Sequence, residues 1–329
     1  MSQSTEADPT PSTPPRAAPP RRFRLAALGL GGASSGAIGG VMLAVIALAC
    51  FATLPWSLDT YTVGDLGTTA ADQPPRAPSL SEPLGTDQLG RSLLWRLLLG
   101  GAVSLTVGVA AAGLAVSIGV AWGLVAGYAG GRLESLMMRV VAVIYGLPAI
   151  LMVVMVGLAL APPLRGIARG VLPESAALQA AGVATLWLAI GAVSWLTMSR
   201  VIRGQVLSLR EQPFVEAARA LGLSPPRIML RHLLPNLVAP IVVYATLTVP
   251  MAILQESTLS FLGIGVRPPL PSWGNLAAEG VAELSPLNVL GNWWRLVFPC
   301  AALGLTLLSL NFLGESLRKK WDPRRRERR

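Results

Sequence analysis

Six long apolar runs, at about 25–54, 98–128, 139–160, 179–201, 237–262 and 296–313, set the pattern of the chain. Each is near or above the ~20 residues that a helix needs to cross the hydrocarbon core of a bilayer. The pattern therefore predicts an all-α polytopic membrane protein with six transmembrane helices. In the second run Gly119, Gly123 and Gly127 recur at every fourth position, a glycine face that lets a neighbouring backbone come close. Pro148 stands in the first third of the third run and is expected to kink it, and Pro162-Pro163 opens a link to the fourth. Pro240 and Pro250 interrupt the fifth run. Between runs, 55–94 and 263–292 turn to Pro, Gly and polar residues, as extramembrane loops do. Within the first of these, Thr86 or Asp87 is expected to cap a short amphipathic helix through Leu93, Leu94, Leu97 and Leu98. Trp293, Trp294 and Arg295 read as an interfacial anchor.

The segment 200–236 has a pattern of its own. Pro213 suits a first helical turn, and Phe214, Ala217, Ala218 and Leu221 then fall on one apolar face. Gly222 is the natural stop, because it enters the left-handed conformation without a Cβ clash. Ser224-Pro225 restarts a helix, and Pro235 is expected to end it. The result is a compact helix-turn-helix carrying six Arg and one His.

Composition supports the membrane reading: 52% of residues are hydrophobic and 13% charged, against about 25% charged in soluble domains. The net charge of +10 raises nucleic acid as a partner, but its distribution answers that. Of the 27 Lys and Arg, 20 fall in the two tails, the 128–139 link and the 200–236 segment, all on one side of a six-span topology. The positive-inside bias places that side, with both termini, in the cytoplasm. A soluble helix-turn-helix DNA binder is excluded by the length of the apolar runs, and the lipid bilayer is the partner that remains. The divisions are a disordered cytoplasmic tail (1–24), a first span with its extracytoplasmic loop (25–97), a transmembrane domain (98–314) and a basic cytoplasmic tail (315–329). Ala47-Leu48-Ala49-Cys50 is loosely similar to a lipoprotein cleavage site, but the run is too long, so the first span is expected to stay uncleaved. Cys50 and Cys300 read as small buried hydrophobes rather than a disulfide.

Chemistry is sparse. The only lysines are Lys319 and Lys320, so no phosphate-binding loop ending in Gly-Lys-Ser/Thr exists. No catalytic group, metal site or cofactor is expected. Glu256 lies late in the fifth run, where a carboxylate costs roughly 2.5–3.5 kcal/mol at the bilayer centre. It must face the bundle interior or reach the surface. Two roles stand open: a pathway or gate residue together with Gln255 and Ser257, or a hydrogen-bond partner for the loop 263–274. A secondary transporter working alone would show an internal inverted repeat and more intramembrane ionisable residues.

Glu216-Ala217-Ala218, then Gly222 and Leu234-Pro235, resembles the EAA loop of ABC-importer permeases. Gly85-Thr86-Asp87-Gln88-Leu89-Gly90-Arg91, Arg203-Gly204-Gln205-Val206-Leu207-Ser208-Leu209-Arg210, Leu259-Ser260-Phe261-Leu262-Gly263-Ile264-Gly265-Val266 and Pro268-Pro269-Leu270-Pro271-Ser272-Trp273-Gly274-Asn275 extend the resemblance to the C-type permease of the dipeptide/oligopeptide/nickel branch. The five motifs are co-linear between Gly85 and Asn275, and the resemblance covers the chain from roughly the first run to the last. Glu82 and Ser92 depart from the His and Asp usual in that family. The resemblance implies a type I ABC-importer permease fold in a bacterial inner membrane. It implies a second, B-type permease, two ATP-binding subunits and an extracytoplasmic substrate-binding protein as partners. Coupling to the ATPase would run through Glu216, Ala217, Ala218, Arg219, Gly222 and Pro235. Pro271, Ser272 and Trp273 would lie where the binding protein docks. The cargo implied is a di- or oligopeptide, with nickel or another small solute as the alternative.

Overall fold

The computed structural model describes residues 34–61, 75–283 and 291–321. The expectations for the N-terminal tail, the start of the first span and the last eight residues lie outside them. Eleven α-helices are present among the described residues: α1 (Ser34–Ala52), α2 (Leu54–Thr60), α3 (Leu93–Ala129), α4 (Gly131–Tyr145), α5 (Ala149–Arg169), α6 (Glu174–Leu209), α7 (Pro213–Ala220), α8 (Pro225–Ile228), α9 (Leu234–Phe261), α10 (Trp273–Ala282) and α11 (Trp293–Trp321). Six helical segments are long and apolar enough to cross a membrane, as the sequence pattern predicts.

The centre is the parallel pair α3 and α6. Gly119 faces Met198, Gly123 faces Ile202 and Gly127 faces Val206, so the glycine face anticipated in the second run is a helix-packing face. A Cβ at Gly123 would stand 2.6 Å from the Ser199 carbonyl oxygen, closer than any side chain tolerates. Helix α9 runs antiparallel to α3, with Ile253 against Gly108, and α1 runs antiparallel to α11, with Gly36 against Ser316. Val107, Ala111, Val153, Leu186, Ala189, Ile190, Ala252 and Leu259 form the buried core between α3, α5, α6 and α9.

Several local expectations give way. Pro148 does not kink a span; it separates α4 from α5. Its ring biases Leu147 out of the helical region, and the Gly146 N–H closes α4 onto the Ala142 carbonyl (3.1 Å). Pro162 and Pro163, expected in a link, lie inside α5, which runs on to Arg169. The short amphipathic helix is simply the first turns of α3, whose N-cap position is Ser92 rather than Thr86 or Asp87. Pro235 does not end the second helix of the loop. A π-helical turn, Met229–Leu233, joins α8 to α9 into one span, Pro225–Phe261. The wider turn accommodates a proline ring and its missing N–H, and the Leu234 N–H bonds the Met229 carbonyl. The loop 263–292 holds α10, buried along most of its length. Trp294 and Arg295 likewise point inward instead of anchoring at an interface; Trp293 is exposed. Cys50 and Cys300 are both free thiols, the first buried, the second exposed.

Candidate functional site

At one end of the bundle α6, α7 and α8 build the basic elbow. Arg210 closes α6 and donates from Nη1 to the Gly127 carbonyl (3.0 Å), which pins the elbow to the end of α3. Pro213 then opens α7 at its first position. At the other end of α7 the Gly222 N–H bonds the Arg219 carbonyl (2.9 Å) and the Leu223 N–H bonds the Ala218 carbonyl (3.2 Å). This paired reversal needs a left-handed residue, and Gly222 has φ +73°. The Ser224 backbone carbonyl, not its hydroxyl, starts α8 by accepting from Ile228 (3.0 Å).

The face of α7 that the chain buries differs from the predicted one. Val215 and Ala218 sink against Leu124, Ile202, Val206, Ile228, Leu233 and Leu237. Phe214, Ala217 and Leu221 stay exposed, Leu221 at 80%. Their spacing still makes one apolar stripe, on the outside. Glu216 is exposed beside it. Among the described residues Arg219 makes no ion pair with Glu216; its guanidinium lies 5.4 Å from the centre of the Tyr128 ring. Neighbouring arginines anchor α4: Arg203 Nε donates to Glu134 (2.6 Å), and Arg200 lies over Tyr145.

Deep in the bundle Glu256 is fully buried. Its carboxylate accepts from the Ser104 hydroxyl of α3 (2.7 Å), from Ser260 one turn on (2.7 Å) and from Ser257 (3.4 Å). Two of these hydroxyls also accept backbone donors from the following segment: Ser104 from the Trp273 N–H (3.3 Å) and Ser260 from the Val266 N–H (3.1 Å). Glu256 is thus the hub that ties α3, α9 and the segment 266–273 together. The geometry supplies the hydrogen bonds that one of the two roles left open calls for. Gln255 is half-buried, and its side-chain carbonyl has no partner among the described residues.

Helix α10 is seated on this hub. Ser272 and Asn275 form a reciprocal capping box, the Ser272 N–H donating to Asn275 Oδ1 (2.7 Å) and the Asn275 N–H to Ser272 Oγ (3.3 Å). Asn275 also donates to the Leu270 carbonyl (3.0 Å), and Trp273 Nε1 to the Leu97 carbonyl (3.1 Å). Pro271, Ser272 and Trp273 are all buried, Trp273 at 1% exposure, so they offer no face to a docking protein; that expectation is corrected.

An ion network at the same end escaped the sequence reading. Asp87 Oδ1 accepts from the Leu89 and Arg91 N–H groups (2.9 Å each), which shapes the loop Gly85–Arg91. Its Oδ2 accepts from Arg91 Nε and from Arg96 Nη1, both at 2.7 Å. Arg96 reaches Glu279 of α10 with two parallel bonds (2.8 and 2.9 Å), and Arg295 of α11 pairs with Glu283 and lies 3.8 Å from Glu279. The side chains of Asp87, Arg96 and Arg295 are 1%, 2% and 4% exposed. Arg96 alone among the leucines of 93–99, and Glu279 with Glu283 on one face of α10, were the available signals.

The comparisons with known proteins agree with this architecture. Residues 119–327 match the family described as binding-protein-dependent transport system inner membrane component. The dipeptide transport system permease protein DppC of Bacillus subtilis is 40% identical over 249 residues, 76% of this chain and 71% of that one. The oligopeptide transport system permease protein OppC of Escherichia coli K12 is 37% identical over 287 residues, 87% and 86% of the two chains. OppC of Bacillus subtilis is 36% identical over the same length, 87% and 84%. With the six membrane-length segments, the elbow and the matched region all coinciding, the chain belongs to the family of binding-protein-dependent transport system inner membrane components.

Proposed function

We propose that this chain forms half of the translocation pathway of an ATP-driven importer of di- or oligopeptides, in a bacterial inner membrane. The observation that carries the coupling step is α7: its underside is locked into the bundle by Val215 and Ala218, while Phe214, Ala217 and Leu221 are left uncovered. An apolar stripe held rigidly at the end of a membrane bundle fits a groove on a soluble partner. With no phosphate-binding motif in the chain, that partner is the ATPase. Two ATP-binding subunits, a B-type permease and an extracytoplasmic binding protein complete the assembly. The excess of Lys and Arg at the elbow end supports a cytoplasmic position for it and for both termini. The peptide cargo is taken from the names of the relatives, which are dipeptide and oligopeptide permeases; they do not favour nickel. Pro271, Ser272 and Trp273 seat α10, so that the outer loops present a fixed surface to the binding protein. Of Gln255, Glu256 and Ser257, Gln255 keeps an unpaired polar atom for the pathway, whereas Glu256 and Ser257 hold the hub.

Leu221→Asp and Glu216→Lys test the coupling. Both side chains are exposed, so the variants should insert and fold as the parent does. They should lose co-purification with the ATP-binding subunits and lose peptide uptake. Normal co-purification together with normal uptake would overturn the assignment of α7.

A further inference from the structure

We propose that the cavity between α5, α6 and the segment after α9 holds an acyl chain of an anionic phospholipid, with the headgroup on Arg165 and Arg267. The cavity measures about 450 Å³ and is mainly apolar, walled by Gly157 and Ala161 of α5, Gly182 and Leu186 of α6, and Leu270. Among the described residues Arg165 and Arg267 are the only charged ones lining it, and neither makes an ion pair there. Arg169, one turn beyond Arg165, is neutralised by Glu174 (3.3 Å). Two uncompensated guanidinium groups in the wall of an apolar slot call for an anion with a long apolar body.

Depth and polarity choose the occupant. From Val153 to Arg165, both in the wall, α5 rises about 18 Å, close to one leaflet of a hydrocarbon core ~30 Å thick. A lipid tail fits that length with its phosphate beside the arginines. A peptide would fit the length too, but its backbone carries a donor and an acceptor at every residue. The wall offers few polar side chains to serve them: Ser175, Gln179, which already donates to Tyr61 Oη (3.2 Å), and Thr185, whose hydroxyl proton goes to the Ala181 carbonyl (2.7 Å). An unpaired peptide group in such a slot is unfavourable, whereas an acyl chain asks for no partner.

The test uses the full chain in its assembled complex, reconstituted in phosphatidylcholine vesicles containing phosphatidylglycerol with a photoreactive group on the acyl tail. Illumination should label the α5 and α6 residues that line the cavity. Arg165→Gln with Arg267→Gln should reduce that label by roughly tenfold or more, since both headgroup contacts are lost. The same photoreactive tail on phosphatidylcholine should label weakly and be indifferent to the substitution. Gly182→Leu is the second variant: nothing lies within 4 Å of where its Cβ would stand, so the side chain can enter the slot without a clash and exclude the tail. Equal labelling by both lipids, or label that survives both variants, would overturn the proposal. So would label displaced by added oligopeptide, which would assign the slot to the cargo instead.

Discussion

Removing the carboxylate of Glu256 takes the acceptor from the Ser104, Ser257 and Ser260 hydroxyls. Glu256→Ala should therefore cost about 1–3 kcal/mol for each group left unsatisfied, read as a lowered unfolding temperature in detergent. Glu256→Gln keeps an acceptor for Ser104 or Ser260 and should fall in between. If the alanine variant unfolds like the parent but no longer transports, the residue serves the pathway and not the hub. Arg96 makes a sharper case. Its guanidinium joins Asp87 to Glu279 at 2% exposure, so Arg96→Ala leaves the buried Asp87 with Arg91 as its remaining side-chain partner and breaks the Glu279 tie of α10 to α3. The expected loss is about 3–5 kcal/mol, measured in the same melt. Arg96→Lys should rescue little, because an ammonium cannot make the two parallel bonds to Glu279.

At the scale of elements, what could be read from the sequence was what is decided within a few residues. Pro213, Gly222 and Pro225 set the elbow by local backbone preference, and the glycine face of α3 follows from a four-residue repeat. Pro148 and Pro162-Pro163 were misassigned, one as a kink and the other as a link, because a proline states only where a backbone donor is missing. Whether the chain breaks there or stays helical depends on its neighbours: Gly146 just before Pro148 tips the balance to a break, while the apolar flanks of Pro162 keep α5 whole. Helix α10 was hidden because the Pro- and Gly-rich composition of 263–275 resembles a surface loop, and its burial rests on Ser104, Leu97 and Glu256, far away in sequence. The Arg96 network is nonlocal for the same reason. Two glycine pairs test these readings. On α3, Gly123→Ala should destabilise by about 1–3 kcal/mol through overpacking against α6. Gly113→Ala, in open space on the same helix, should be neutral or stabilise by up to about 1 kcal/mol. In the elbow, Gly222→Ala meets no atom, so its cost of about 1–2 kcal/mol is purely that of a left-handed backbone. Gly222→Asn should recover part of it.

For the whole molecule the decisive property is sidedness. With both native cysteines replaced by Ser, Ala217→Cys on the exposed face of α7 should react with a membrane-impermeant maleimide only after the cells are permeabilised. Leu89→Cys, exposed at the opposite end, should react in intact cells. The reverse pattern would invert the topology and remove the ATPase from α7. The π-helical turn at Met229–Leu233 gives this topology a mechanical meaning. Because the chain does not break there, Pro225–Phe261 is one rod about 55 Å long, with the elbow as its handle and the Glu256 hub near its far tip. Rocking the handle by about five degrees would swing that tip about 5 Å, the width of one helical turn. A small stroke at the elbow would thus reach the hub as a sideways shift of α9 against α3, unless the rod gives at Pro240 or Pro250.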